Sequence, residues 1–321
     1  MIDTIRNMKK VELHLHLDGS VSIDTAASLL EKNRAEVEKE MVANDKCLNL
    51  TEYLTKFDLP ISIMQTRENL VKIASDLVDY LEGENVIYAE VRFAPIFHIK
   101  EGLKLNEVVE AVLEGLKSNE KVKTNLILCM MRGMDYDTNL SIINLASEYL
   151  GKGVCAIDLA GDECKYPLDE YVSLFEIANI KGIPFTIHAG EAGSAIEVRK
   201  AIEIGTTRIG HGVHAVEDDY VLDLLKKRNV LLEVCPTSNV QTDVCKFYNE
   251  HPIRELYKKG VKVCVNTDNK TVSKVSISDE YVKLYQNFDF TIDDFKLMNK
   301  NALKSSFLKD EEKQELLKEF D

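Results

Sequence analysis

Residues 154–188 read VCAIDLAGDECKYPLDEYVSLFEIANIKGIPFTIH and divide into three parts. The two ends, VCAIDLA (154–160) and IPFTIH (183–188), are short apolar runs of strand length. The middle, PLDEYVSLFEIANIKG (167–182), opens with Pro167 and closes with Gly182, residues that suit the first turn and the stop of a helix. Strands that are nearly continuously apolar, with no polar alternation, are those of a parallel sheet covered by helices.

The same alternation extends in both directions. VELHLH (11–16), VIYAEVRF (86–93) and NLILCMM (125–131) come before, and TRIGH (207–211), VLLEVC (230–235) and VKVCVNT (261–267) come after, making eight runs. TRIGH is short and is placed by its spacing in the series. Between most runs lie helical patterns. In LNEVVEAVLEGLKS (105–118) Val108, Val109, Val112, Leu113 and Leu116 form one stripe. DDYVLDLLKKRN (218–229) starts acidic and ends basic, matching a helix dipole. Eight repeats predict an α/β chain closed into a (β/α)8 TIM-type barrel. The alternative, an open doubly wound sheet, usually wants a glycine-rich phosphate loop after its first strand, and none follows VELHLH.

One interval is oversized. Between Asp18 and Asn85 there are 66 residues, where a barrel's single helix needs about 20. Residues 20–85 are therefore expected to be a helical insertion after strand 1, acting as a lid or substrate wall over the C-terminal face of the barrel. No linker, repeat or low-complexity stretch divides the rest, so residues 1–321 are expected to form a single barrel domain.

A net charge of −14 with no basic cluster argues against nucleic acid and anionic membranes as partners. No run approaches the ~18–20 apolar residues of a membrane helix, and the first residues lack a signal peptide's apolar core. The seven cysteines are odd in number, scattered and free of CxxC pairs, which fits a reducing cytoplasm.

Side chains alternate along a strand, so His14 and His16 share one side. In a barrel that side is the interior, where two imidazoles are expensive unless they bind something. Three other runs also end in titratable groups: His188 after IPFTI, His211 in TRIGH, and Asp268 after VKVCVNT. His14, His16, His188 and Asp268 make a three-imidazole, one-carboxylate set suited to one Zn2+ per chain. Such a site lowers the pKa of its water towards ~7 and supplies a nucleophile at neutral pH. Glu191, three residues past His188, can reach the same cavity as a proton donor or acceptor. His211 can stand beside the metal and stabilise charge on the attacked centre.

HLHLDGS, IDLAGDE, IHAGE, RIGHG, EVCPTSN and NTD resemble, in order, the successive motifs of the adenosine deaminase family of metal-dependent amidohydrolases. LTEYLTKFDLP (50–60) is similar to that family's lid-region helix. The resemblance implies a barrel enzyme that deaminates adenosine and 2′-deoxyadenosine to inosine and deoxyinosine, with a small purine nucleoside as its partner. It implies zinc held by His14, His16, His188 and Asp268, and Glu191 protonating purine N1. It further implies His211 and Asp268 aligning the attacking hydroxide, Asp18 on a sugar hydroxyl, the Gly161 backbone on N3, and His16 lining the substrate site.

The text after the eighth run departs from the family's commoner double aspartate and proline. Here TDNKTVS keeps the first aspartate as Asp268 and places Asn269 at the second and Lys270 at the proline; Asn269 and Lys270 are the two changed positions. The first of them is expected to hydrogen-bond N7, an acceptor, and an asparagine amide donates at any pH. A deaminase of a related purine, such as adenine, an N6-modified adenosine or another adenosyl compound, is the alternative reading. From another class, a non-catalytic zinc- or nucleoside-binding protein would be expected to have lost Glu191 or a ligand, and all are present.

Overall fold

VIYAEVRF and VCAIDLA form strands over the residues read from the sequence, and the other six runs form strands with small shifts at their ends. The strands are β1 (Lys10–His16), β2 (Val86–Phe93), β3 (Lys123–Met131), β4 (Val154–Ala160), β5 (Ile187–Ala189), β6 (Arg208–His211), β7 (Leu231–Val234) and β8 (Lys262–Val265). The structure is a computed structural model describing residues 1–48 and 50–320. Asn49, at the head of the helical stretch read before LTEYL, and Asp321, the last residue of the expected domain, lie outside the described residues.

All six ladders are parallel, and the strands pair in order as β1–β4 and β5–β8. Single bridges join the two groups at both seams. Ile157 N donates to Pro184 O at 3.0 Å and Thr186 N to Ile157 O at 3.1 Å; His16 N donates to Asp268 O at 2.7 Å and Asp268 N to His14 O at 3.0 Å. The ring of eight strands is thereby closed, as expected of a barrel and not of an open sheet. β5 starts later than the apolar run IPFTIH, whose Pro184–Thr186 stretch bonds to Ile157 at the seam with β4 instead.

The helices between strands bury their apolar stripes outward of the barrel. Leu105–Leu116 buries Val108, Val109, Val112, Leu113 and Leu116, the stripe read from its period. Asp219–Arg228 is capped by the Asp218 carboxylate, which accepts from Tyr220 N at 2.9 Å, and it stops at Asn229 in a left-handed conformation. The segment 167–182 splits into a 3-10 turn Leu168–Tyr171 and a helix Val172–Ile180. The long interval after β1 holds the short helices Ile23–Leu30, Arg34–Met41, Leu50–Leu54 and Asp58–Ile63. It ends in Arg67–Gly83, whose buried stripe packs against Leu105–Leu116.

Two features set the floor of the barrel. Arg92, Arg208, Glu90, Asp158 and Glu233 are all fully buried within it. Arg92 pairs with Asp158 at 2.8 Å and with Glu233 at 2.7 Å, and Arg208 pairs with Glu233 at 2.7 Å and also with Glu90. Below this, Val11, Leu13, Tyr88, Leu231 and Cys264 pack on Ala302, Leu303, Leu308 and Phe320. Those last residues come from the helix Ile292–Ser305 and the chain after it, a region with no expectation from the sequence. No helix among the described residues is long and apolar enough to cross a membrane.

Candidate active site

The C-terminal ends of β1, β5 and β6 and the turn after β8 converge on one point. His14, His16, His188 and Asp268 each offer one ligand atom within 4.8 Å of the others. His16 Nε2 lies 3.4 Å from His188 Nε2 and 3.4 Å from Asp268 Oδ1, and His14 Nε2 is 3.3 Å from the same oxygen. His14 Nε2 is buried and makes no aligned hydrogen bond among the described residues. Imidazole nitrogens and a carboxylate packed this closely, away from water, fit a divalent cation between them.

The groups behind the rings fix which nitrogen faces that point. His14 Nδ1 stands 3.0 Å from Glu233 Oε2. A carboxylate only accepts, so the proton lies on Nδ1 and the Nε2 lone pair faces inward. His188 Nδ1 stands 2.9 Å from Asp158 Oδ2, a close contact to a carboxylate though not an aligned hydrogen bond. Both carboxylates are held by Arg92, so the charged floor of the barrel orients the two imidazoles.

Local backbone aims the remaining groups. His211 and Asp268 both have φ of +60°, a left-handed conformation that non-glycine residues rarely adopt. Asp268 lies three residues past the end of β8, in a parallel bridge with Leu15, and its backbone is locked between His14 O and His16 N by the seam hydrogen bonds. Ser238 donates to its Oδ2 at 2.7 Å. Gly210, in the RIGHG motif, is required by close packing: a Cβ there would fall 2.9 Å from Cε1 of His14.

Glu191 is 6% exposed, and its Oε2 lies 3.6 Å from His211 Nε2. Burial, then the Asp268 and Glu163 carboxylates, push its pKa well above the usual carboxylate range. Its loop is held by a residue to which the sequence reading gave no role. Glu163 Oε1 accepts from the backbone N–H of Glu191, Ala192 and Gly193, each at 2.6 Å, and its Oε2 accepts from Gly190 N at 2.9 Å. Four donors converging on one buried carboxylate fix the loop on which Glu191 is mounted. The available signal was the acid in IDLAGDE together with a Gly-Glu-Ala-Gly run rich in free N–H groups.

All the site residues read from the sequence come together, and all but His14 line one cavity of about 550 Å³. His16, Asp18, Gly161, His188, Glu191, His211, Asp268 and Asn269 form its strand side. His14 lies just behind, fully buried. Asn269 Oδ1 is packed against Gly19 and has no hydrogen-bond partner among the described residues. The opposite wall comes from the segment after β1: Leu50, Tyr53, Leu54, Phe57, Asp58 and Ile61.

Comparison with known proteins agrees with this arrangement. The Adenosine deaminase family model matches residues 9–321. An adenosine deaminase of Clostridium botulinum (strain Kyoto / Type A2) is 41% identical over 328 residues, covering 98% of this chain and 97% of its own. An adenine deaminase structure from Arthrobacter aurescens superposes with a TM-score of 0.90 at 26% identity, covering 98% of each chain. An N6-methyl-AMP deaminase structure from Arabidopsis thaliana gives 0.88 at 26%, covering 100% of this chain and 98% of its own.

Proposed function

The chain belongs to the adenosine deaminase family, a family of hydrolytic deaminases, and from that membership we propose that it converts adenosine and 2′-deoxyadenosine to inosine and deoxyinosine with release of ammonia. The observation that carries this reading is the convergence of four ligand atoms within 4.8 Å at the end of a cavity that also holds a buried Glu191. His14, His16, His188 and Asp268 would hold one zinc ion. When bound, the ion supplies Lewis acidity that makes water a nucleophile at neutral pH.

The chain's own residues supply the rest. Adding oxygen at C6 breaks the purine's aromaticity and drives electrons to N1. Glu191, kept protonated by burial and neighbouring carboxylates, donates to N1 as that charge develops, where stabilisation raises the rate most. His211 and Asp268 align the attacking oxygen. Asp18 takes a sugar hydroxyl, the Gly161 N–H faces N3, and the Asn269 amide donates to N7. Residues 1–321 act as one barrel domain, with residues 20–85 as its lid and the apolar side chains from Leu50 to Ile61 covering the purine. The setting is the cytoplasm.

The second reading, a sibling purine deaminase, is favoured by the adenine and N6-methyl-AMP deaminases among the similar structures. One assay separates them: loss of absorbance at the adenine band with adenosine, adenine, AMP and N6-methyl-AMP side by side. Adenosine is expected to have the highest kcat/KM. Asp18→Ala should depress kcat/KM for adenosine far more than for adenine, which has no sugar to lose. A higher kcat/KM for any of the other three would replace the adenosine reading with the sibling one.

A further inference from the structure

His14 and His188 turn their outer nitrogens to carboxylates. His211, the third ring end-on to the same cavity, does not. Its Nδ1 lies 3.0 Å from Asn239 Nδ2. Asn239 Oδ1 lies 3.1 Å from His251 Nε2. His251 Nδ1, at the far end, accepts from the backbone N–H of Ile253 at 3.1 Å. Asn239 is fully buried, and His211 and His251 nearly so. None of these contacts was legible from the sequence, where Asn239 is the last letter of CPTSN and His251 stands alone.

We propose that His251 and Asn239 are positioning residues that lock His211 as the tautomer with its proton on Nε2, aimed into the cavity. The argument runs from the one group in the row whose role is fixed. A backbone N–H can only donate, so His251 Nδ1 is an acceptor. His251 then carries its single proton on Nε2; burial pushes its pKa down to about 3, so a second proton is absent near neutral pH. The Asn239 atom facing Nε2–H must accept, so it is the oxygen. The amide NH2 therefore faces His211 and donates, and His211 Nδ1 must accept. A ring whose Nδ1 accepts is neither an imidazolium nor the Nδ1–H tautomer. Its proton is on Nε2, 3.6 Å from Glu191 Oε2.

The consequence for the reaction rests on the deaminase reading above. His211 presents an N–H donor to the attacking oxygen and so holds it in line with C6, and its inward nitrogen has no lone pair with which to act as a base. Of the two groups that align the attacking oxygen, only Asp268 remains able to accept a proton. The same cavity thus uses one residue type in two states. A carboxylate behind the ring turns a lone pair inward, where a metal would sit, and an amide behind it turns an N–H inward for the attacking oxygen.

The test uses the full chain loaded with zinc and labelled with 15N-histidine. Long-range 1H–15N correlation, with His211 assigned by its disappearance in His211→Asn, should give the Nε2–H pattern. The Nδ1–H or imidazolium pattern would overturn the proposal, whether or not adenosine is turned over, so this measurement is independent of the substrate reading. Asn239→Asp keeps the size and replaces the donor by an acceptor. It should move the His211 proton to Nδ1 and lower kcat by up to on the order of 10⁴, the loss for a catalytic histidine held as the wrong tautomer, with KM changed less than about threefold. Unchanged kcat with the proton on Nδ1 would also overturn it. Should Asn239→Asp fail to fold, His251 gives a second comparison. Leucine frees Asn239 to turn over and should lower kcat, while glutamine, which can both accept from Ile253 N and donate to Asn239, should restore much of the loss. Equal kcat in His251→Leu and His251→Gln would count against the relay.

Discussion

On the strand side of the cavity, His14, His188, Asp268 and the Glu191 loop each have a buried charged or polar partner behind them. Glu233 backs His14, Asp158 backs His188, Ser238 holds Asp268, and Glu163 grips the Glu191 loop through four backbone N–H groups. On the helical side, Leu50, Leu54, Phe57 and Ile61 face the cavity as apolar side chains. Polar ties join that segment to the rest of the chain, among them Ala43 N to Val272 O at 2.8 Å, Cys47 N to Gln241 O at 2.9 Å, Tyr53 Oη to Ser273 Oγ at 2.7 Å, the Gln65 amide to Phe97 O, and His98 Nδ1 to Met64 O at 3.1 Å. The difference follows from what each wall must do. Directed bonds to a metal and proton transfer tolerate errors of only a few tenths of an ångström, so orientation is over-determined by hydrogen bonds. An apolar wall that excludes water and covers a flat ring needs contact area, which packing alone supplies.

The largest effect that would test this division is at Glu191. Glu191→Gln preserves volume and the loop held by Glu163 but removes the transferable proton. It should lower kcat by ~10²–10⁴, the usual contribution of a general acid, with metal content and melting temperature near wild type. Near wild-type kcat in a metal-replete Glu191→Gln protein would remove the proton-donor role and with it the claim that the strand wall carries the chemistry.

A smaller effect should come from one layer deeper. Asp158 is fully buried, pairs with Arg92 and approaches His188. Asp158→Asn keeps the shape and loses the carboxylate charge beside His188 Nδ1. Outer partners of this kind change metal affinity by ~10–100-fold, and competition with a chromophoric chelator would read that change. Wild-type zinc affinity in the variant would mean that the buried charges serve the barrel alone and not the site.

The two walls also differed in how far they could be read in advance. His14, His16, His188 and His211 were legible because a strand's two-residue period and its C-terminal end specify both face and location. Asp268 was read as the carboxylate closing the eighth run; the β8 ladder stops at Val265, but Asp268 bridges to Leu15 of β1, and its left-handed φ is invisible in a pattern of apolar residues. Glu163, Asn239 and His251 were missed as positioning groups. Their partners lie 27–30, 28 and 12 residues away for the closest contacts, and no local rule links an acid or amide to a loop on another strand. Arg92, Asp158 and Glu233 sat inside runs read as buried strand, where a charged residue carries no hint of the ion pair that makes its burial tolerable. The helical wall was legible as an oversized interval, but its division into short helices rests on turns and caps that composition alone did not separate.

The most modest prediction concerns the helical wall and is confined to acid. His98, in the turn after β2, holds Met64 O of the insertion through Nδ1 at 3.1 Å, while its Nε2 is buried with no hydrogen-bond partner among the described residues. Burial pushes its pKa down to about 4, with Met64 O opposing and Lys100 adding to the shift. A histidine whose folded pKa lies below its unfolded value of about 6.5 binds fewer protons folded than unfolded between those two values. Its contribution to stability is therefore complete above about pH 6.5 and is lost as pH falls towards 4. By pH 5 the loss should be roughly 2 kcal/mol. In His98→Gln the amide can still donate to Met64 O but cannot titrate, so the variant should lose less stability than wild type between pH 7 and pH 5. Urea unfolding at the two pH values measures both losses. Parallel losses in the two proteins would mean that His98 is not the acid-sensitive tie between insertion and barrel, and that this wall, like its apolar face, is held by packing that pH does not reach.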